Sequence, residues 1–91
     1  MRNRRRSEWN ALFSVLPSAV QRLTRTVFSR FCENPRHPSL RFKKMRHKHQ
    51  GRDCYEVSIT RDYRAVAYSD GDGDTYVWFW VGKHGDFDNR F

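Results

Sequence analysis

Tyr55-Glu56-Val57-Ser58-Ile59-Thr60-Arg61-Asp62-Tyr63-Arg64-Ala65-Val66 is the stretch on which the reading of the fold turns. Its first half alternates apolar and polar residues with period two, the pattern of a half-buried strand. A turn near Arg61-Asp62 leads into a returning strand over residues 63–69. Asp70-Gly71-Asp72-Gly73-Asp74 has the composition of a hairpin connection. The next segment, residues 75–81, abandons alternation. Val77, Trp78, Phe79, Trp80 and Val81 are all apolar, so this strand is expected to be covered on both faces.

Upstream, Leu40 and Phe42 alternate with Arg41 and Lys43, which predicts a short half-buried strand followed by a polar, basic loop over residues 47–53. Asn34-Pro35-Arg36-His37-Pro38-Ser39 is a loop by composition. Before it the period is helical. Trp9, Leu12, Phe13 and Leu16 mark one face of a short helix that Ser7 can cap. Pro17 interrupts it and suits a second start. Val20, Leu23, Val27, Phe28 and Phe31 then form the next stripe, and the two helices make a hairpin. Residues 1–6, with Arg2, Arg4, Arg5 and Arg6 and no apolar anchor, read as a solvated basic arm. The expected class is α+β: an N-terminal helical hairpin packed on a twisted antiparallel sheet of about four strands. A single domain over residues 7–91 follows the arm, because 91 residues are too few for two cores.

Eighteen Lys and Arg against ten Asp and Glu give a net charge of +8. Such a field attracts polyanions such as nucleic acid, the ribosome or an acidic protein. Charge alone also fits a basic domain with no such partner. Cys32 and Cys54 are too few for a disulfide scaffold and read as thiols in a reducing compartment. No apolar run reaches the length of a membrane span and no signal peptide is visible, so the cytoplasm is the expected location and no membrane partner is expected.

Several motifs fail on their spacing. Asp70, Asp72 and Asp74 open like a calcium loop, but its required Gly and Glu positions hold Thr75 and Val81. Gly82-Lys83 lacks the rest of a phosphate-binding loop. No paired Cys or His spacing suggests zinc, so neither a metal nor another cofactor is expected. What remains is Arg64 within a strand and His84 just past the last one. RNA cleavage without a metal needs a base for the 2′-hydroxyl, an acid for the leaving 5′-oxygen and cations for the phosphate. Histidine suits the proton transfer and arginine the phosphate. A lone His after a strand is equally an ordinary surface residue.

The run Asn34 to Leu40, followed by Phe42-Lys43-Lys44-Met45-Arg46, resembles the loop and first paired strand of RelE/ParE-like toxins. Residues 55–66 resemble their next strand, tight turn and "YR" strand. Val81-Gly82-Lys83-His84 resembles the closing strand and its exit. The resemblance runs from Trp9 to Phe87. It implies the toxin of a bacterial type II toxin–antitoxin system, held inactive by a cognate antitoxin. RelE-like members cut mRNA, mostly in the ribosomal A site and without a metal. ParE-like members poison DNA gyrase.

Carried over by residue, the resemblance implies that Arg64 contacts the scissile phosphate. His84 stands where the YafQ-like branch carries a proton-transferring histidine, and Asp62 matches an aspartate of that branch. Phe87 or Phe91 stands near the aromatic that positions the nucleotide. Lys43, Lys44, Arg46, Arg61 and Lys83 complete the expected substrate-binding set, with Phe87 beside them. Three features depart from the family. Glu56 and Ser58 replace strand lysines, no C-terminal tyrosine follows Tyr76, and the usual first strand is missing or shrunken into residues 1–6. The favoured expectation is an mRNA-cleaving endoribonuclease that inhibits translation. The alternatives are a gyrase inhibitor and a degenerate toxin that only binds its antitoxin.

Overall fold

A computed structural model describes residues 2–90, with side chains as far as Phe87. Met1 and Phe91 lie outside the described residues, and with Phe91 one of the two aromatic candidates. The elements are β1 (Arg2–Arg5), α1 (Ser7–Ser14), α2 (Ser18–Glu33), a 3-10 turn (Pro38–Leu40), β2 (Lys43–His49), β3 (Arg52–Ser58), β4 (Tyr63–Ser69), β5 (Thr75–Lys83) and α3 (His84–Arg90). They form one five-stranded sheet in the order β1-β5-β4-β3-β2. No helix among the described residues is long and apolar enough to cross a membrane.

The α+β class and the helical hairpin are as expected, but the sheet is mixed and has one more strand. The basic arm predicted over residues 1–6 is, at Arg2–Arg5, an edge strand parallel to β5. No apolar side chain is needed for this, because backbone groups carry the pairing. The Arg2 N–H donates to the Asp74 carbonyl at 2.8 Å and the Arg6 N–H to the Trp78 carbonyl at 3.0 Å. Asn3 adds a side-chain tie, its Oδ1 accepting from Trp78 Nε1 at 2.9 Å. The arginine side chains stay exposed.

Arg6, rather than Ser7, occupies the N-cap of α1, without a side-chain capping bond. Its guanidinium instead pairs with Glu8 in the first turn at 3.2 Å. At the far end, Gln21 of α2 donates to the Phe13 and Ser14 carbonyls at 3.0 and 3.4 Å, satisfying groups the α1 terminus would leave open. Within α2 the buried stripe is Val20, Thr24, Val27 and Phe31. Leu23, expected in that stripe, is 44% exposed. Thr24 takes the inward place because its hydroxyl donates to the Val20 carbonyl at 2.7 Å and so carries no open donor into the core.

The second strand runs further than its side chains suggest. Leu40 is buried in the 3-10 turn rather than in a strand, and pairing begins at Lys43 and continues to His49. The loop expected over residues 47–53 shrinks to a two-residue connection. Gln50 and Gly51 both take positive φ, 51° and 79°, the backbone of a tight turn whose twist matches a hairpin. Along β2 the half-buried Met45, His47 and His49 alternate with the exposed Lys44, Arg46 and Lys48, so one face of this basic strand packs on the open side of the sheet.

In β5 the continuous apolar run has a specific cause. Val66 pairs with Trp80 and Ala67 with Trp78, so Phe79 is an extra residue on β5. This bulge breaks the alternation and puts neighbouring residues on one side. Trp78 and Val81 join the helix-side core with Trp9, Val27, Phe31 and Val57. Phe79 and Trp80 both join a second cluster with Cys54, Val66, Tyr68, Val77 and Phe87. Trp78 is the hub of the helix side, with Phe28 at 4.8 Å and Phe31 at 5.5 Å, both edge-on.

Candidate active site

The site is built by register across the open face of the sheet. Lys43 of β2 stands opposite Glu56 of β3, Ser58 stands opposite Arg64 of β4, and Arg64 stands opposite Gly82 of β5. Because side chains alternate along a strand, Glu56, Ser58 and Arg64 share this face. Two residues past Gly82 the chain leaves the sheet as α3. The His84 N–H donates to the Asp62 carbonyl at 2.8 Å, which fastens the start of α3 to the β3–β4 turn. One turn on, Phe87 packs edge-on against Trp80 at 5.1 Å and His47 at 5.4 Å. The bulge that brings Trp80 to this face therefore supplies the seat of α3.

Between β2 and α3 lies a concavity of about 330 Å³ lined by Lys43, Lys44, Met45, Arg46, Glu56, Arg64, Val66, His84 and Phe87. Six of the nine residues singled out in the sequence and described here thus meet in one place. Arg64 is held firmly, its Nη1 donating to the Thr60, Tyr63 and Arg61 carbonyls at 2.7, 3.0 and 3.1 Å. Its Nε and Nη2 have no protein partner among the described residues. A guanidinium fixed by one corner presents the rest of its fork to an oxyanion without further loss of side-chain freedom.

Glu56 is the site residue that sequence reasoning misses. Its side chain is 7% exposed and pairs with Lys43 at 3.2 Å. It stands where family lysines were expected, while the cation comes from directly across the β2–β3 ladder. The signal is present in the alternation, which puts Glu56 opposite the helix-side residues of its strand. The register of β2 is not readable from side chains, so its partner stays hidden. Lys44 also lines the concavity, but its amine is drawn to Asp53 at 3.4 Å, which Lys48 shares at 3.7 Å.

The other three candidates lie elsewhere. Arg61 and Asp62 are exposed in the β3–β4 turn, and both contribute through carbonyls, to Arg64 and His84 respectively. Lys83 is exposed and lines a separate depression with Leu12, Tyr63 and Asp86. Phe87 is inside the site but only 4% exposed, so it forms a wall rather than an open stacking surface.

Beyond the concavity the same face closes with aromatic and basic side chains. The His49 ring stacks on Phe79 at 4.5 Å and Tyr68 at 5.1 Å. Burial holds its pKa below the usual histidine value, and Arg6 and His47 push the same way. Arg52 lies over the Tyr68 ring at 5.3 Å and pairs with Asp70 at 2.7 Å. Of the three aspartates in the β4–β5 hairpin, Asp72 holds the turn. Asp72 Oδ1 accepts from the Asp74 and Thr75 N–H groups, each at 2.8 Å, and Oδ2 accepts the Thr75 hydroxyl at 2.8 Å. Those bonds to the ionised form hold the Asp72 carboxyl below its ordinary value.

Comparison with known proteins agrees with the fold. A chain of the archaeal RelE–RelB complex from Pyrococcus horikoshii OT3 superposes with a TM-score of 0.69 at 16% identity, over 92% of this chain and 94% of that one. A chain of the RelB–RelE antitoxin–toxin complex from Methanococcus jannaschii gives 0.68 at 16% identity, over 97% and 98%. A copper-bound mutant toxin from Helicobacter pylori gives 0.62 at 14% identity, over 94% and 97%. At these identities the likeness establishes the fold. No curated protein sequence matches the chain significantly. Residues 18–89, well over half of the chain, match the ParE-like toxin domain, and the chain therefore belongs to that family of the RelE/ParE toxin superfamily.

Proposed function

We propose that the protein is the toxin of a type II toxin–antitoxin pair and cuts mRNA, free or on the ribosome, as an endoribonuclease whose own side chains supply the chemistry. The observation that carries this reading is the meeting of Glu56, Arg64 and His84 with Lys43, Lys44 and Arg46 in one concavity. A carboxylate and an imidazole are the two proton-transfer groups that transesterification requires, and the cations suit the phosphate.

In this scheme Glu56 takes the proton of the 2′-hydroxyl as the 2′-oxygen bonds to phosphorus. The bond from phosphorus to the 5′-oxygen breaks, and His84 gives that oxygen a proton. The products are a 2′,3′-cyclic phosphate and a free 5′-hydroxyl. Arg64 binds the phosphate oxygens where charge builds up, and Lys43 holds the Glu56 carboxylate in place. Asp62 acts through its main chain only. Primer extension on mRNA after induction tests the scheme. His84→Ala and Arg64→Ala should each lower cleavage by about 10²-fold or more, as loss of a general acid or an oxyanion donor does. Asp62→Ala should cleave within a few-fold of the parent protein. Unchanged growth arrest with both His84→Ala and Arg64→Ala would sink the nuclease assignment.

The structural relatives RelE–RelB and RelB–RelE are toxin–antitoxin complexes. By that likeness we assign a cognate antitoxin to this chain, with an acidic or amphipathic segment that covers the basic open face. A second reading, inhibition of DNA gyrase, is favoured by the ParE-like family match and by Glu56 standing in place of a lysine. Supercoiling left intact at protein concentrations that stop growth would remove it. The degenerate-toxin alternative rests on a missing first strand, and β1 fills that place.

A further inference from the structure

We propose that the loop between α2 and β2 is a second nucleotide-binding site, taking one phosphate and the adjoining base of single-stranded RNA that flanks the cleaved bond. The choice of RNA rests on the endoribonuclease reading; the site itself does not depend on His84.

A concavity of about 500 Å³ opens there on the helix side of the sheet, with Pro35, Arg36, His37, Arg41, Phe42 and Tyr76 among its lining residues. Its frame is rigid. Pro35 and Pro38 fix their own φ angles, and Asn34 Oδ1 accepts the Arg36 N–H at 3.1 Å. His37 Nδ1 accepts the Ser39 N–H at 3.2 Å and lies 2.8 Å from the Ser39 hydroxyl, which in turn accepts Arg30 Nη1 at 3.1 Å. With Nδ1 serving as acceptor, the ring carries its proton on Nε2, a donor with no protein partner among the described residues. Arg41 closes the 3-10 turn with a left-handed backbone, φ 47°, its N–H donating to the Pro38 carbonyl at 3.3 Å.

Among the described residues no carboxylate lies within ion-pair distance of the cations lining this concavity. Arg6, Lys43, Lys44, Lys48 and Arg52 each face a carboxylate within ion-pair distance. Neither Arg36 nor Arg41 does so among the described residues, and no acidic residue lines the concavity. The walls are aromatic: Phe42 and Tyr76 meet edge-on at 5.6 Å, and Tyr55 backs Phe42 at 5.4 Å. Guanidinium groups beside aromatic rings match a phosphate and a base together, the combination that single-strand binders use. An acidic peptide would satisfy the arginines but not the rings. The two sites flank the β2 edge on opposite faces of the sheet. Phe42 faces this concavity and Lys43, the next residue, lines the candidate active site. A strand of RNA crossing the β2 edge would pass from one to the other.

The test is fluorescence anisotropy with the full chain and a labelled 2′-O-methyl hexaribonucleotide, which can bind but cannot be cut. Arg36→Ala/Arg41→Ala should weaken binding by tenfold or more and reduce the salt slope by roughly 0.7 for each phosphate no longer neutralised. Arg36→Lys/Arg41→Lys should restore the salt slope but not the full affinity, because lysine lacks the fork. Arg22→Ala, which removes one exposed cation from α2 away from both concavities, should bind within twofold of the parent, and thermal melting should confirm that all variants fold. Parent-like affinity and salt slope in Arg36→Ala/Arg41→Ala would overturn the proposal, as would failure of the parent protein to bind the oligonucleotide. So would an equal loss of binding to a polyglutamate peptide, which would make the site a peptide site. Each of these leaves primer extension on His84→Ala and Arg64→Ala intact as the separate judge of the nuclease reading.

Discussion

The two faces of this sheet are built from the same strands and solve different problems. The helix side is closed by α1 and α2 around Trp78, and its residues follow the strand period until the bulge. The open side is closed only at one end, by α3 on Trp80, and elsewhere by His49, Arg52 and other side chains of the sheet itself. Apart from the α2–β2 loop at its rim, the helix side is given over to apolar burial. The open side keeps a charged carboxylate, an arginine and a histidine around a 330 Å³ concavity. Stability is concentrated on one face so that the other can carry polar groups whose burial costs stability.

Trp78→Ala should break the comparison at its hub. Trp78 is fully buried among the rings of Trp9, Phe28 and Phe31, and such truncations cost about 3–5 kcal/mol. That is a large share of a small domain's stability. Urea unfolding should show the midpoint collapsing, and a loss under about 1 kcal/mol would contradict the two-face account.

Gly82→Ala attacks the other face more gently. A Cβ at position 82 would lie 3.0 Å from Trp80 Cζ2, so the indole must move. Overpacking of this kind costs about 1–3 kcal/mol, and the shift carries Phe87 and α3 with it. The proposed mRNA cleavage should fall by a larger factor than urea stability predicts. Equal, small losses in both would show that Trp80 does not seat α3.

The smaller effects concern how tightly the open face closes. His49 has a depressed pKa in the folded protein, so the unfolded chain binds more protons as pH falls through the ordinary histidine value. Its contribution is therefore present above about pH 6.5 and lost as pH drops toward the folded value. The drop in urea midpoint between pH 7.5 and pH 5.5 should be smaller in His49→Phe than in the parent; an identical drop would remove His49 as its source. Smallest of all is a labelling difference. Burial pushes the Cys54 thiol up to about 11, whereas Cys32 is exposed. A thiol reagent at pH 8 should modify Cys32 alone in the native protein and both in urea. Rapid native labelling of Cys54 would mean that the open face breathes near β3.

The sequence is most legible where side chains do the folding. Period-two alternation finds β3, the unbroken apolar run finds the doubly covered β5, and the helical stripe finds α2 apart from the exchange of Leu23 for Thr24. It is least legible where the backbone does the folding. Arg2–Arg5 is a strand because its amides pair, and in Lys43–His49 the inward Met45, His47 and His49 alternate with exposed cations in a period masked by the polarity of the histidines. The bulge at Phe79, a backbone feature, is invisible too, although the mixed apolar run is its consequence. Among site residues, Arg64 and His84 come from the strand pattern and the family likeness. Glu56 stays hidden until the β2–β3 register puts Lys43 across from it. Arg61 and Lys83 are basic residues of neighbouring segments that do not line the concavity.

The placing of β1 also sets an order of events during synthesis. Arg2–Arg5 are made long before their partners Thr75–Trp78, and His84 follows those partners. Early helices can form as they emerge, but long-range pairings must wait for both strands. The β1–β5 pairing, and with it the seat of α3 that brings His84 to the concavity, therefore forms only after β5 has been made. The helical hairpin must wait, already formed, for the strands that close the sheet between its two ends.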